Sequence, residues 1–199
     1  MSDKNYLRVW RDVIFSPRIF YSQMPQSGGF FHPAGFLFIM ILIGMIINVV
    51  GTVFLIGQPA IWSIPITIIF FSVIIFLGGF LISFVLYIVW RLLGSNKSYE
   101  TAFRCFAYSS AISPLTSLIA FIPLIGIPMC VLWIIILLII ASETVHSLKP
   151  TVVRPFWLLV GLIVVIGTLV LEQQYRKFVF TPDNTNISLK QPSERLRQF

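Results

Sequence analysis

Three long stretches of this chain carry no Asp, Glu, Lys or Arg: Phe36 to Trp90, Cys105 to Ser142 and Pro155 to Leu171. Their apolar runs are continuous, without the strict alternation of a membrane β-strand. A helix needs about 20 apolar residues to cross hydrocarbon. The pattern therefore predicts five spans, at 36–57, 64–90, 102–122, 124–143 and 155–172. The fold class is all-α: a bundle of five transmembrane helices preceded by an amphipathic interfacial helix.

Residues 4–15 predict that first helix. Leu7, Trp10 and Ile14 fall on one face, joined by Tyr6 and Val13, with Lys4, Arg8, Arg11 and Asp12 on the other. A basic polar face opposite an apolar one suits a helix lying in the membrane interface, or one packed on the mouth of the bundle. Ser16-Pro17 starts a second short helix, with Ser as cap and Pro at the first helical position. Met24 to Gly29 is rich in turn formers. The chain thus divides into a cytoplasmic amphipathic segment (1–35), a transmembrane domain (36–172) and a polar C-terminal tail (173–199).

The spans carry small residues at helical spacing. These are Gly44, Asn48, Gly51 and Thr52 in the first, and Ser72, Gly79 and Ser83 in the second. In the third they are Ala102, Cys105, Ser109, Ser113, Thr116 and Ala120. Small residues let membrane helices approach closely, so the first three spans are expected to pack together. Pro114 removes a backbone donor and predicts a kink near Ser110, with nearby hydroxyls re-satisfying the freed backbone.

Composition agrees with a membrane class: 57% of the 199 residues are hydrophobic and 11% are charged, against about 25% charged in soluble domains. The net charge of +7 is unevenly placed. Lys4, Arg8, Arg11 and Arg18 precede the first span; Arg91, Lys97 and Arg104 surround the second gap; Lys149 and Arg154 surround the fourth. The gaps around Gln58 and Pro123 carry no Lys or Arg. The positive-inside rule then predicts a cytoplasmic N-terminus and, with five spans, an external C-terminus. Arg176, Lys177, Lys190, Arg195 and Arg197 in the tail oppose this, with less weight than the early spans. Charges at membrane edges point to anionic headgroups, not nucleic acid. No cleaved leader is expected, because the first apolar run starts only at Phe36. Cys105 and Cys130 are placed at opposite depths, which predicts no disulfide.

Candidate chemistry is sparse. Glu143 and His146 have metal-site spacing, but such sites in bundles need carboxylates from other helices, so no metal and no cofactor is expected. Ser109 or Ser110 as a nucleophile would need a base within reach, and His32 and His146 are both near the cytoplasmic boundary. Arg104 can bind a phosphate headgroup or pair with Glu100, but reads first as a snorkelling arginine. Asn48 can line a polar path, but reads first as an interhelical hydrogen bond. No acidic residue lies mid-membrane, where a coupled transporter needs one. Asn186-Ile187-Ser188 matches a glycosylation pattern.

Several ordered motifs carry a resemblance. They are Trp10, Ser16-Pro17-Arg18, Phe20-Tyr21, Arg91-Leu92-Leu93-Gly94, Tyr99, Phe103-Arg104, Ala107-Tyr108-Ser109-Ser110, Pro114, Pro123-Leu124-Ile125-Gly126 and Val145-His146-Ser147. With the five-span layout they resemble the Yip family of Ypt/Rab-GTPase-interacting membrane proteins and its bacterial relatives, over roughly residues 7–171. The resemblance implies a five-helix domain with a cytoplasmic N-terminus. In a eukaryote it implies Golgi or endoplasmic-reticulum trafficking and Rab-type GTPase partners. The short N-terminal region looks like the bacterial branch, which implies the inner membrane and does not carry over GTPase binding. Ala141-Ser142-Glu143 departs from the glycine relatives often carry before the histidine segment. The resemblance implies no catalytic residue.

The expected function is a non-enzymatic scaffold or accessory subunit. It would act through a membrane-protein partner, a second copy or anionic lipids, using Trp10, Arg11, Arg18, Arg91 and Arg104. The alternative is a transporter or channel for a small polar solute, with Asn48, Ser109, Ser113 and Thr116 lining the path.

Overall fold

A computed structural model describes residues 5–56, 63–122 and 125–180. Eight α-helices occur among them: α1 (Tyr6–Phe15), α2 (Pro17–Gln23), α3 (Phe31–Ile56), α4 (Ser63–Leu92), α5 (Tyr99–Ser109), α6 (Ser113–Ile119), α7 (Gly126–Thr144) and α8 (Pro150–Phe180). Four are long and apolar enough to cross a membrane, over Phe31–Phe54, Ile64–Leu92, Gly126–Thr144 and Pro150–Leu171. The glycosylation pattern at 186–188 and the basic residues Lys190, Arg195 and Arg197 lie outside the described residues.

The third predicted span is not one helix. A 3-10 turn over Ser110–Ile112 separates α5 from α6. Pro114 sits in the first turn of α6, where its missing N–H has no helical partner to lose. The neighbouring hydroxyls bond back onto the backbone: Ser109 Oγ donates to Phe106 O (2.7 Å), Ser110 Oγ to Ala107 O (2.6 Å) and Thr116 Oγ1 to Ser113 O (3.0 Å). The predicted kink is therefore a break, and it divides the predicted 102–122 helix.

Other boundaries shift for local reasons. The first long helix starts at Phe31, before the predicted 36, because Pro33 falls in its first turn, where proline is tolerated. The last starts at Pro150, before the predicted 155, because proline suits the first helical position. It continues through Glu172, so the predicted tail begins as helix. Asn5 caps α1, accepting from Leu7 N at 3.1 Å. Ser16 stands at the start of α2 but makes no capping bond through its side chain.

Close packing follows the small residues. A side chain at Gly44 would come within 2.6 Å of Ser113 Oγ and 3.1 Å of Ser117 Oγ; one at Gly51 would collide with the Phe121 ring. These contacts seat α6 on α3. Gly79 admits Leu37 and Phe106, each 3.1 Å from where a Cβ would stand. Ser83 Oγ lies 3.1 Å from Tyr99 Oη, joining α4 to α5. Ser72 is fully buried, and its hydroxyl has no hydrogen-bond partner among the described residues.

Helices α1 and α2 lie across one end of these long helices. Val13 and Tyr21 are buried there, and Tyr6, Val9 and Trp10 pack on the same core. Leu7 of the predicted apolar face does not join this core: it is 75% exposed, on the side of Arg11 and Phe15. That end also receives the loop after α4 and the loop after α7. Arg8, Arg11, Arg18, Arg91, Lys97, Arg104, Lys149 and Arg154 all belong to it, and we call it the basic end.

Candidate functional site

The basic end is built from three linked clusters. The first centres on Ser142 of α7. Its hydroxyl accepts Trp90 Nε1–H of α4 at 2.8 Å and Trp157 Nε1–H of α8 at 3.0 Å. It donates to Leu138 O at 2.6 Å. One donor and two lone pairs are all a hydroxyl has, so the group is saturated. His146 stacks on the Trp90 ring, with centroids 4.1 Å apart and planes 20° apart.

The loop after α4 reaches this histidine through a glycine turn. Gly94 has φ 99°, while Ser95 N bonds to Trp90 O (2.8 Å) and Gly94 N to Arg91 O (3.1 Å). This is the Schellman closure, and its left-handed residue is best filled by glycine. It presents Ser95 Oγ to His146 Nδ1 at 2.7 Å. Cys105 Sγ faces Nε2 at 4.0 Å, and the Lys97 charge acts on the ring. Burial, with the Lys97 charge adding to it, pushes the His146 imidazole down from 6.5 to about 4. Tyr21 of α2 donates its hydroxyl to Cys105 O at 3.2 Å, and burial raises its phenol well above the ordinary 10.

The second cluster is an arginine clamp. Arg104 is 4% exposed. Its Nε donates to Glu100 at 3.2 Å, one terminal nitrogen to Pro25 O at 3.1 Å and the other to Gly29 O at 2.8 Å. Glu100 also accepts Gly29 N–H at 2.7 Å. The snorkelling reading is thus corrected: the guanidinium holds the connector between α2 and α3. Gly28 makes this approach feasible. Its φ is +122°, and a Cβ there would stand 3.2 Å from the guanidinium. Between clamp and helices lies a cavity of about 550 Å³, whose lining includes Arg104, His32, Tyr108 and Asp12. His32 Nδ1 and Tyr108 Oη are 3.2 Å apart.

The third cluster is Glu143, which pairs with Arg18 of α2 at 3.2 Å and Arg154 of α8 at 2.7 Å. The carboxylate side chain is 8% exposed, while its two partners are more than half exposed. Glu143 and His146, three residues apart, therefore serve different neighbours. Among the described residues no group of three or more His, Cys, Asp or Glu could hold a metal ion.

The predicted contact residues share this end but not one environment. Trp10 is half-buried against the core. Arg11 is exposed and bonds Asp12 at 2.9 Å. Arg18 joins Glu143, and Arg91 lies 5.9 Å over the Tyr87 ring. The predicted path residues do not converge. Asn48 lines a groove of about 380 Å³ between α3 and α4, with Thr52 and Thr67, and Ser109, Ser113 and Thr116 are not in its lining. Among the described residues no hydrogen bond ties the Asn48 amide to a neighbouring helix. Trp90, Ser95, Ser142 and Trp157 escaped the sequence reading. Tryptophans near span ends read as interfacial residues, and a serine in an apolar run reads as packing.

A family model described as the Yip1 domain matches residues 11–172. Searches of curated proteins and of solved structures give no match.

Ser142→Ala leaves two buried indole N–H groups without their acceptor. It is expected to destabilise the protein by about 2–4 kcal/mol. Ser110→Ala, which removes only a local back-bond, should cost less than about 1 kcal/mol. Thermal unfolding in mild detergent compares them.

His146 must stay neutral when folded. An unfolded imidazole takes a proton near 6.5, the folded one only near 4. Its contribution is therefore complete above pH 6.5 and is lost as pH falls towards 4, by about 3 kcal/mol in all. Melting temperatures between pH 7 and pH 4 should fall less steeply in His146→Gln than in the wild type.

Proposed function

This chain belongs to the Yip family, and on that premise we propose that it is a non-enzymatic integral membrane protein acting through its basic end. The observation that carries this is the concentration of eight described Lys and Arg residues at one end, three of them on the cap built by α1 and α2 and five on the helix ends and loops beside it. Such a surface suits anionic headgroups and a membrane-protein partner or second copy. Exposed Leu7, Phe15 and Ile19 stand beside Arg8, Arg11 and Arg18 on that cap. This mixture is what a helix lying in the headgroup region presents.

We further propose that α5 and α6 together make a fifth crossing. The eleven-residue and seven-residue helices with their three-residue turn add up to roughly 33 Å, the scale of one bilayer leaflet pair about 30 Å thick in hydrocarbon, with the first turns of α5 around Glu100 and Arg104 in the headgroup region. The positions of their two ends support it. Tyr99 opens α5 directly after the loop that follows α4, its hydroxyl reaching Ser83 and Phe80 within α4, whereas Ile119 packs on Gly126, where α7 begins. With the basic end cytoplasmic, the N-terminus is inside and the end of α8 outside. Arg176 and Lys177 at the end of α8 count against this orientation, but charges around the first spans dominate it. The membrane is the bacterial inner membrane for a short member of the family. A Rab-type GTPase would be a partner only in a eukaryotic setting. Against the solute-path alternative, Ser109, Ser113 and Thr116 do not line the groove that holds Asn48.

Single cysteines at Asn96 and Gln174, in a chain with Cys105 and Cys130 replaced by alanine, read the topology. Asn96→Cys should label only from the cytoplasmic side and Gln174→Cys only from outside. Labelling of both from the same side would eliminate the fifth crossing.

Purified from native membranes in mild detergent, the protein should carry a stoichiometric membrane-protein partner or a second copy. Arg11→Glu with Arg91→Glu should weaken that association by at least about tenfold. A bare monomer at every detergent condition would sink the scaffold reading.

A further inference from the structure

We propose that the cavity beneath the arginine clamp binds the phosphate group of a membrane phospholipid. This deepens the reading above, because it rests on the basic end lying at the membrane–water boundary.

The donors come first. A guanidinium has five N–H groups. The bonds to Glu100, Pro25 and Gly29 use one on each nitrogen of Arg104. One N–H on each terminal nitrogen is left over, and Arg104 lines the cavity. Paired N–H groups on one guanidinium match two oxygens of a phosphate. The His32–Tyr108 pair adds another donor whichever way its proton lies. If the tyrosine hydroxyl donates to Nδ1, the imidazole carries its proton on Nε2. If Nδ1–H donates to the hydroxyl oxygen, the tyrosine O–H is left to donate. Ser27 and Gln23 also line the space. The acid in the lining is Asp12, which Arg8 and Arg11 already engage.

The rest of the lining selects an amphiphile over a free anion. Val9, Ile19, Phe20 and Met24 contribute apolar walls. Ile19 both lines the cavity and is 60% exposed. A chain leaving past Ile19 therefore meets an exposed apolar side chain, and Phe15 at the end of α1 is 74% exposed as well. The depth is also suitable: His32 opens α3 and Arg104 lies in the second turn of α5, where hydrocarbon gives way to headgroups. The volume of about 550 Å³ falls within the about 300–1,000 Å³ of small-molecule sites. It holds a phosphodiester with its glycerol, and the acyl chains run outside.

The test is a titration of delipidated protein in mild detergent, followed by native mass spectrometry. The ligands are phosphatidylglycerol, phosphatidylethanolamine, diacylglycerol and glycerol 3-phosphate. Both phospholipids should bind at one tight site per chain. Diacylglycerol and glycerol 3-phosphate should bind at least about tenfold more weakly, the first lacking the phosphate and the second the chains. Arg104→Gln and Ser27→Trp, which removes the cation and fills the space respectively, should each weaken phospholipid binding by at least about tenfold. Ser27 is exposed on the connector, so Ser27→Trp and Tyr108→Phe decide the matter if Arg104→Gln fails to fold. Equal binding of diacylglycerol would reduce the site to a greasy surface. Equal binding of glycerol 3-phosphate would make it a site for soluble phosphates. Undiminished lipid binding by folded Ser27→Trp would overturn the proposal outright. The titration needs no intact membrane or partner, whereas labelling at Asn96 and Gln174 needs no lipid site. Either reading can therefore fail without the other.

Discussion

The hydroxyl of Ser142 is the point on which the basic end depends. Two indoles from different helices spend their only polar atom on it, and its own proton goes to Leu138 O. Nothing in a dry interior can replace a lost acceptor, so the positions of α4, α7 and α8 are set by one oxygen. Trp90, held in this way, offers a flat face to His146. The histidine in turn receives Ser95 from the loop after α4 and faces Cys105 of α5. Cys105 O accepts from Tyr21, which fixes α2 over the bundle. A single polar chain thus runs from the membrane helices to the cap.

Much of this architecture was legible in the hydrophobic pattern, because long apolar helices announce themselves by composition. Residues 64–90 were expected as a span and form the body of α4; 124–143 were expected and α7 runs from Gly126 to Thr144. The break in the third span was only half legible. Pro114 signalled a disturbance, but a proline disturbs without stating whether the helix bends or restarts. The local competition decides it: Ser109 and Ser110 both turn their hydroxyls onto carbonyls three residues back, and the backbone tightens into a 3-10 turn before the proline. Of the hydroxyls that suggested a polar path, those of Ser109 and Thr116 are consumed in such back-bonds.

The clamp was not legible, for a different reason. Arg104 looks like a snorkelling residue when only its own helix is considered, since it stands one turn inside an apolar segment. Its partners at Pro25 and Gly29 are far away in the chain. No periodicity reports such contacts. Only the glycine pair in the connector hinted at an unusual backbone, and the need for it becomes clear with φ +122° at Gly28 and the guanidinium beside it. Arg18, Phe20, Tyr21, Arg104, Tyr108 and His146, all among the motifs that carried the family resemblance, meet in this layer. The resemblance therefore pointed to the cap even though the chemistry of each residue did not.

Glu143 ties the cap to the bundle through partners that are themselves exposed. Its carboxylate is nearly buried, so it must be paired, yet Arg18 and Arg154 are more than half exposed. Exposed partners contribute little each, because water screens them. Losing one arginine leaves the carboxylate with the other, whereas losing both strands a charge at the membrane edge. Arg18 is the partner that belongs to α2, so α2 can release this contact while α7 and α8 remain joined through Arg154. The apolar contacts of Val13 and Tyr21, together with the Arg104 clamp, then hold the cap in place. Phosphate arriving at the free N–H groups of Arg104 would add its charge beside Glu100, the carboxylate that already balances the guanidinium. Occupancy of the cavity would therefore weaken the Arg104–Glu100 pair as it strengthens the hold on the lipid, and the connector between α2 and α3 is the segment through which that exchange would be felt.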